Sequence, residues 1–294
     1  MLADALIEEG WICKIVTLKH SIEFIENLKK YERIDPEDFY ELATEADLLV
    51  VDNYDLDESY EKHFRKKIKK ILVLDDLANR KHDCDIVVDQ TYGREAHDYK
   101  NLVPGHCKIL AGSDYVLLRK EFIEMRPKAL QKRRETKKVE RILISMGGSD
   151  PKNYTLKALE LVKESGFTGD IDIVLGFSAP NMQMIKDYVS VLPNACAIHT
   201  NANMPHLIYE ADLAIGAAGS SVWERCCLGL PQILMVTAAN QKLIYENLVK
   251  SNICSPTVDI VKFVNNFNNM KTVSLDYSFI AIDKIVQVLN HVGS

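Results

Sequence analysis

The chain has 294 residues, of which 47% are hydrophobic and 27% are charged, and its formal net charge is −6 at pH 7. These proportions are typical of globular proteins, and the length allows two domains of ordinary size. The negative charge argues against nucleic acid or an anionic membrane as a partner, and no apolar run reaches transmembrane length. Seven cysteines, two of them adjacent at Cys226 and Cys227, do not form a disulfide framework. We therefore expect a cytoplasmic protein.

The first part of the chain alternates helices with short apolar strands. The predicted helices are Met1–Glu9, Ile22–Lys30, Pro36–Thr44 and Ser59–Lys70. The predicted strands are Trp11–Leu18, Asp47–Asp52, Ile71–Asp76, Cys84–Gln90, Lys108–Ala111 and Tyr115–Leu118. Continuous apolar strands separated by helices are typical of a parallel sheet that is covered on both faces.

A basic run, Lys128–Arg141, comes next, and we interpret it as a solvated linker. The strands predicted after it are Arg141–Met146, Ile171–Leu175, Cys196–His199, Asp212–Gly216 and Ile233–Val236. The helices predicted there are Tyr154–Ser165, Met182–Val191, Met204–Glu210, one from Val222, Lys242–Lys250 and Phe279–His291. We predict an α/β protein with two tandem Rossmann-like domains, 1–127 and 140–294, joined by a basic linker at 128–139. Ligands would bind in a cleft at the carboxyl ends of the strands.

The chain opens on a helix, without the strand that precedes the first helix of a doubly wound sheet. Loss of a central parallel strand leaves unpaired backbone groups inside a sheet. The sequence therefore predicts that the first strand of the N-terminal domain is absent. Either the true N-terminus lies upstream of Met1, or a different strand order tolerates the loss.

Two turns rich in glycine and serine follow strands of the second domain. One is SMGGSDPKN at Ser145–Asn153, and the other lies within ADLAIGAAGSSVWERCCLGLP at Ala211–Pro231. Backbone N–H groups that converge at a helix N-terminus favour a bound phosphate. Neither turn is a Walker loop or a good dinucleotide fingerprint. The pair predicts a phosphate or diphosphate site formed by Gly148, Ser149, Gly219, Ser220 and Ser221.

The same residues also fit a purely structural role. Ser221-x-x-Glu224 matches a capping box, in which Ser221 is the N-cap and Glu224 bonds back to its N–H. Asn240 fits equally the N-cap of the helix Lys242–Lys250. A cap and a ligand site can coexist at one position, so both interpretations stay open.

Other polar residues give weaker signals. Asp75 and Asp76 form a carboxylate pair at a strand end, where they either face the cleft or serve only as solvated or capping residues. His82, Cys84 and Asp85 do not match the spacing of a usual zinc site, so we expect no metal.

Segments spread over nearly the whole chain resemble the UDP-sugar hydrolases of the pseudaminic acid pathway, a family similar in its GT-B fold to the lipid-II glycosyltransferase. The segments are VDNYDLD at Val51–Asp57, ILVLDDLANRKHDCDIVVDQ at Ile71–Gln90, LVPGHCKILAGSDYVLLRKEF at Leu102–Phe122, SMGGSDPKN, EADLAIGAAGSSVWERCCLGLP at Glu210–Pro231 and ANQ at Ala239–Gln241. The resemblance implies hydrolysis of the anomeric C–O bond of a UDP-diacetamido-trideoxyhexose without a cofactor. It also implies a sugar-binding first domain and a UDP-binding second domain.

The resemblance further implies roles for individual residues. Tyr54 and Asn240 match the catalytic residues on the sugar side, and Glu224 matches the carboxylate that binds the ribose hydroxyls. The remaining substrate-binding positions are Gly148, Ser149, Gly219, Ser220, Ser221 and Gln241. LADAL at Leu2–Leu6 resembles the end of the family's first motif, GxGHxxR and a leucine-rich helix. The histidine of that motif, the family's proposed base, would fall before Met1.

Two alternatives remain open at this point. A glycosyltransferase of the GT-B fold would use the same UDP-sugar with an acceptor other than water. A non-catalytic paralogue would bind the UDP-sugar without cleaving it, because the motif histidine is missing from this chain.

Overall fold

The computed structural model describes residues 1–18, 28–42, 45–256 and 281–291. The chain divides into two compact units, one of residues 1–117 with 278–294 and the other of residues 118–277. Within the described residues, no helix is both long and apolar enough to cross a membrane. The predicted helix Ile22–Lys30 lies mostly outside the described residues.

The first unit contains two parallel sheets among its described residues. In one, β1 (Lys14–Val16) pairs with β2 (Glu32–Ile34). In the other the order is β3 (Ala46–Val51), β4 (Ile68–Leu74), β5 (Ile86–Asp89) and β6 (Lys108–Ala111). The helices are α1 (Leu2–Glu8), α2 (Pro36–Leu42), α3 (Glu58–Phe64) and, from the far end of the chain, α10 (Ala281–His291).

Helix α10 completes the core of the first unit. Its Ile285 and Leu289 are buried in one cluster with Leu2 and Leu6 of α1 and Leu72 of β4. This differs from the predicted assignment of residues 140–294 to a single domain. The apolar periodicity of a helix shows that one face is buried, but it does not show which sheet buries that face.

The second unit is built on a parallel sheet with the strand order β12-β11-β10-β7-β8-β9. These strands are β7 (Arg141–Ser145), β8 (Asp170–Val174), β9 (Cys196–His199), β10 (Leu213–Ala217), β11 (Gln232–Met235) and β12 (Ser255–Pro256). The helices are α4 (Lys120–Glu135), α5 (Tyr154–Glu164), α6 (Met182–Ser190), α7 (Met204–Glu210), α8 (Ser221–Cys227) and α9 (Lys242–Lys250). The predicted alternation of strands and helices is confirmed here, with most element ends within two residues of those expected.

The predicted basic linker differs most from the structure. Most of its residues lie in α4, and the buried Arg133 donates to the carbonyl oxygens of Ile208 and Ala211, both at 2.5 Å. Lys132 donates to the carbonyl oxygens of Tyr209 at 2.9 Å and Glu210 at 2.5 Å. These cations satisfy carbonyl groups at the C-terminal end of α7, which have no partner within the helix.

Two predicted elements of the first unit also differ. The predicted helix Ser59–Lys70 ends as α3 at Phe64, and β4 begins at the buried Ile68, which pairs with Ala46 of β3. The predicted strand Tyr115–Leu118 is not in a sheet and follows a short 3-10 turn. In both places burial and strand pairing override the local pattern.

We expect Arg133→Met to lower the free energy of unfolding by about 2–4 kcal/mol, because buried carbonyl groups at the end of α7 lose their donors. Equilibrium denaturation in urea measures the change. Arg134→Met is the matched control on the exposed side of the same helix, and we expect a change within about 0.5 kcal/mol. Equal losses in the two variants would contradict the capping role.

Candidate functional site

The two glycine and serine turns lie at neighbouring strand ends in the second unit. β7 and β10 pair in parallel, with Ser145 opposite Gly216 at their carboxyl ends. The next strand after β7 is β8 on one side, and the next after β10 is β11 on the other. The strand order therefore reverses between β7 and β10, which is where open α/β sheets bind ligands. The structure thus brings the five predicted phosphate-binding residues to one edge of the sheet.

The turn after β7 depends on glycine in two places. Gly147 has φ of +95°, a left-handed conformation that favours glycine. The carbonyl of Gly148 accepts from the Gly176 N–H at 2.8 Å, and a Cβ at Gly176 would lie 2.3 Å from that oxygen. The loop after β8 can therefore approach the Gly148 carbonyl only because Gly176 has no side chain. Gly148 and Ser149 remain exposed.

The helix after this turn carries its own anion. The buried Asp150 accepts from the backbone N–H groups of Tyr154 and Thr155, both at 2.8 Å. The N-cap residue of this helix is Asn153, so Asp150 binds the first turn from outside the helix. Because a carboxylate already occupies these N–H groups, a ligand at this turn would meet Gly148 and Ser149 rather than the first turn of α5.

A buried cation lies beneath the turn after β10. Arg225 is fully buried and donates to the Gln232 side chain at 2.6 Å, to Ser221 Oγ at 2.9 Å and to the Ala217 carbonyl at 2.9 Å. A Cβ at Gly216 would come within 2.8 Å of the guanidinium carbon, so a side chain at this position would displace the guanidinium. The three acceptors are neutral, and burial lowers the pKa of Arg225. Since Ser221 Oγ accepts from Arg225, its own hydroxyl proton is free to donate elsewhere.

The capping-box interpretation of this turn is wrong. Ser220, not Ser221, is the N-cap residue, and it makes no side-chain cap. Ser221 Oγ is engaged by Arg225, and the Glu224 carboxylate faces Arg119, with Oε1 3.4 Å from Nη2. The two residues that fit a cap by spacing therefore have other partners in the tertiary structure.

Glu224 is a poorly hydrated carboxylate beside this turn. Its side chain is 22% exposed, and burial raises its pKa despite the opposing charges of Arg119 and Arg225. A carboxylate in this setting gains from two hydroxyl donors presented together. The vicinal hydroxyl groups of a ribose have that arrangement.

Asn240 and Gln241 lie in a 3-10 turn, Ala239–Gln241, before α9. The prediction of Asn240 as the N-cap of α9 is wrong, because Gln241 occupies that place and makes no side-chain cap. Gln241 Oε1 instead accepts from the N–H of Thr237 at 2.9 Å and from its hydroxyl at 3.1 Å. Gln241 Nε2 lies 3.4 Å from where a Cβ on Gly219 would be, so its amide lines the second turn. Asn240 is exposed.

Tyr54 lies in the first unit, within a polar cluster at the carboxyl ends of β4 and β5. Its hydroxyl donates to Asp76 Oδ2 at 3.0 Å. The buried Tyr99 lies 2.9 Å from both Asp75 Oδ2 and Asp89 Oδ2. Asp76 is therefore part of a built polar site rather than simply solvated at the strand end.

Sequence reasoning missed three members of this cluster. Arg80 donates to Asp75 at 2.8 Å, and Arg94 donates to Asp89 at 2.6 Å. With Tyr99, they follow two strands that pair in parallel, so their clustering at one sheet edge could have been inferred from topology. Nothing in the spacing indicated which carboxylate each arginine would bind.

The residues weighed for a metal site have structural partners. His82 Nδ1 is 2.6 Å from Glu61 Oε1, and both side chains are fully buried. Cys84 lies 3.5 Å from Cys107, sulfur to sulfur. Across the described ranges, no group of three His, Cys, Asp or Glu side chains is arranged to hold a metal ion.

We expect Glu224→Gln to raise the free energy of unfolding at pH 7. The folded state raises the pKa of Glu224 above its ordinary value of 4.5, so it binds the proton more tightly than the unfolded chain. The stability that protonated Glu224 contributes to the wild type is fully present below pH 4.5. It declines as the pH rises through the pKa that Glu224 has in the folded state. Denaturation at pH 7 and at pH 4 measures the difference, which should disappear at the lower pH. A loss of stability at pH 7 would contradict it.

No family model matches the chain. An uncharacterised protein of Methanocaldococcus jannaschii is 29% identical over 213 residues, which are 69% of this chain. The match spans only 43% of that protein's length. Among solved structures, MurG of Acinetobacter baumannii aligns with a TM-score of 0.63 at 12% identity, covering 99% of this chain and 94% of MurG. This likeness confirms the predicted fold class, GT-B with two Rossmann-like domains.

The UDP-2,4-diacetamido-2,4,6-trideoxy-beta-L-altropyranose hydrolase of Campylobacter jejuni is 30% identical over 208 residues. The match covers 66% of this chain and 72% of that enzyme. The segments singled out in the sequence had indicated the same relationship. The chain belongs to the family of this hydrolase.

Proposed function

We propose that the chain is a hydrolase that cleaves the anomeric C–O bond of a UDP-diacetamido-trideoxyhexose, releasing UDP and the free sugar in nonulosonic acid biosynthesis. The family relationship supports a UDP-sugar as the substrate. The observation that carries the proposal is Glu224, a largely buried carboxylate beside a turn that contains Gly219, at the point where the strand order reverses. A site of this kind suits the ribose and diphosphate of one nucleotide.

The second unit would hold the UDP. Glu224 would accept hydrogen bonds from the two ribose hydroxyl groups, and the Ser221 hydroxyl would donate to a phosphate oxygen. Backbone N–H groups of Gly148, Ser149, Gly219 and Ser220 would line the diphosphate. The Arg225 guanidinium beneath the turn adds positive charge in a region where water does not screen it.

The reaction does not need a general acid at the leaving group. UDP departs as a stable anion, so its oxygen does not need a proton from a carboxylic acid, unlike the alkoxide of an ordinary glycoside. Fixed dipoles and the buried cation stabilise the charge that develops on the diphosphate. Tyr54 and Asn240 would orient the sugar and the attacking water.

We expect reaction in 18O-labelled water to place the label on the anomeric carbon of the released sugar and none in the UDP. Attack on the anomeric carbon breaks the C–O bond, whereas attack on phosphorus would label the β-phosphate. Mass spectrometry of both products measures this.

The other outcomes identify the alternatives. UDP release that depends on an added acceptor would indicate a glycosyltransferase. Binding of UDP without any release from the UDP-sugar would indicate a binding protein. Label in the UDP would contradict cleavage of the C–O bond.

We expect Glu224→Gln to weaken UDP binding about 10- to 100-fold, because a charged acceptor for two hydroxyl groups is lost. The same substitution should change the affinity for 2′,3′-dideoxy-UDP less than about threefold. Calorimetry with both nucleotides measures the difference. Glu160→Gln, on an exposed position of α5, is the control and should change neither affinity. An equal loss for both nucleotides would place Glu224 away from the ribose.

A further inference from the structure

Two cysteines of the first unit lie side by side at the amino ends of β5 and β6. Cys84 is two residues before the start of β5, and Cys107 directly precedes β6. Their sulfur atoms are 3.5 Å apart, and both side chains pack in the same core cluster. A disulfide bond is about 2.05 Å long, so the two sulfur atoms need to approach each other by about 1.5 Å. The pair is therefore within reach of a disulfide bond.

The backbone beside both cysteines is fixed by the sheet. The Asp85 N–H donates to the Ile71 carbonyl at 2.8 Å, and the Lys108 N–H donates to the Asp85 carbonyl at 2.8 Å. Arg65 donates to the carbonyl of Asp83 and to the carboxylates of Asp83 and Asp85. These contacts hold the residues next to both cysteines, so the two sulfur atoms stay near each other.

The two thiols differ in exposure. Cys84 is fully buried, whereas Cys107 is partly exposed. The hydrogen bond with Cys107 and then burial raise the pKa of Cys84, so this thiol keeps its proton at neutral pH. A reagent in solution therefore meets Cys107 first, while Cys84 donates its S–H to the Cys107 sulfur. Oxidation-sensitive cysteines often combine an accessible sulfur with a second thiol next to it.

Three other cysteines show what is particular to this pair. Cys226 and Cys254 hydrogen-bond to each other in the second unit, but both are buried. Cys13 is partly exposed, but its thiol donates to the Ala3 carbonyl at 3.6 Å. The pair between β5 and β6 combines an accessible sulfur with a neighbouring thiol, which is what a disulfide formed from the surface requires.

We propose that Cys84 and Cys107 are a peroxide-sensitive thiol pair, in which Cys107 is oxidised first and Cys84 then closes a reversible disulfide. The Cys107 sulfur attacks one oxygen of hydrogen peroxide, the O–O bond breaks, and the products are a sulfenic acid and water. The Cys84 sulfur then displaces the sulfenic oxygen, which leaves as water with the Cys84 thiol proton. The two sulfurs together lose two electrons, which the peroxide accepts, and a dithiol restores both thiols.

This chemistry is separate from the proposed hydrolysis. The two cysteines lie at the amino ends of the strands, whereas Asp75 and Asp89 lie at the carboxyl ends of β4 and β5. A disulfide between β5 and β6 would therefore form at the end of the sheet opposite the polar cluster.

The first test treats the folded full chain with hydrogen peroxide, alkylates the remaining thiols in denaturant and digests the product with trypsin. We expect the peptides His82–Arg94 and Asn101–Lys108 to be recovered joined, with the loss of two hydrogen atoms, from chains that are not linked to a second copy. Dithiothreitol added before alkylation should return the two peptides separately. A joined pair of other cysteines, or Cys107 carrying only added oxygen atoms, overturns the proposal.

The second test separates the roles of the two thiols. In Cys84→Ser the disulfide cannot form, so we expect peroxide to oxidise Cys107 to the sulfinic acid, with loss of the thiol that dithiothreitol recovers in the wild type. In Cys107→Ser we expect Cys84 to remain a free thiol, because it is buried. Cys13→Ser is the control for a partly exposed cysteine outside the pair, and it should give the same joined peptides as the wild type.

Each outcome bears on one step. Equal recovery of the Cys107 thiol in the wild type and in Cys84→Ser overturns the role of Cys84. Loss of the Cys84 thiol in Cys107→Ser as fast as in the wild type overturns the order of the two steps. If either variant does not fold, the wild-type digest decides alone, because the absence of the joined peptides overturns the proposal without any variant.

Discussion

The buried guanidinium of Arg225 is the constraint on which the turn after β10 depends. It joins three elements, because its hydrogen bonds reach β10 at Ala217, α8 at Ser221 and β11 at Gln232. Removing a guanidinium from water costs several kcal/mol, which neutral acceptors offset only in part. A glycine, Gly216, leaves room for this group at a position where a side chain would displace it. The position of the turn follows from this one arrangement.

Much of the fold could be predicted because the signals that specify it are local. Apolar runs ending in glycine or an acidic residue gave β5, β7 and β10 to within two residues, and the alternation of strand and helix indicated parallel sheets. The two turns could be placed at strand ends for the same reason. The two turns lie close together because β7 and β10 are neighbours in the sheet. This could not be predicted, because no short segment of sequence specifies the order of parallel strands.

The partners of long side chains could not be predicted. Arg133 lies in a basic run that looks like a solvated surface, yet its hydrogen bonds reach the end of α7, 75 to 78 positions further along the chain. Ser221 and Glu224 have the spacing of a local cap, but Arg225 and Arg119 engage them instead. A charged side chain reaches several ångströms, so its partner depends on packing that periodicity does not describe. The spacing favoured a cap for Glu224, which the structure contradicts, whereas the ribose-binding role implied by the family resemblance stays a prediction.

The return of α10 to the first unit has a consequence for the order in which the protein folds. The described core of that unit needs Ile285 and Leu289, which are synthesised after all of residues 118–277. Residues 118–277 leave the ribosome earlier and form a unit with its own parallel sheet. Contacts between α1 and α10 span almost the whole chain and are slow to form. Leu2 and Leu6 would therefore reach their native packing only after α10 has been synthesised, and they would be exposed in the meantime.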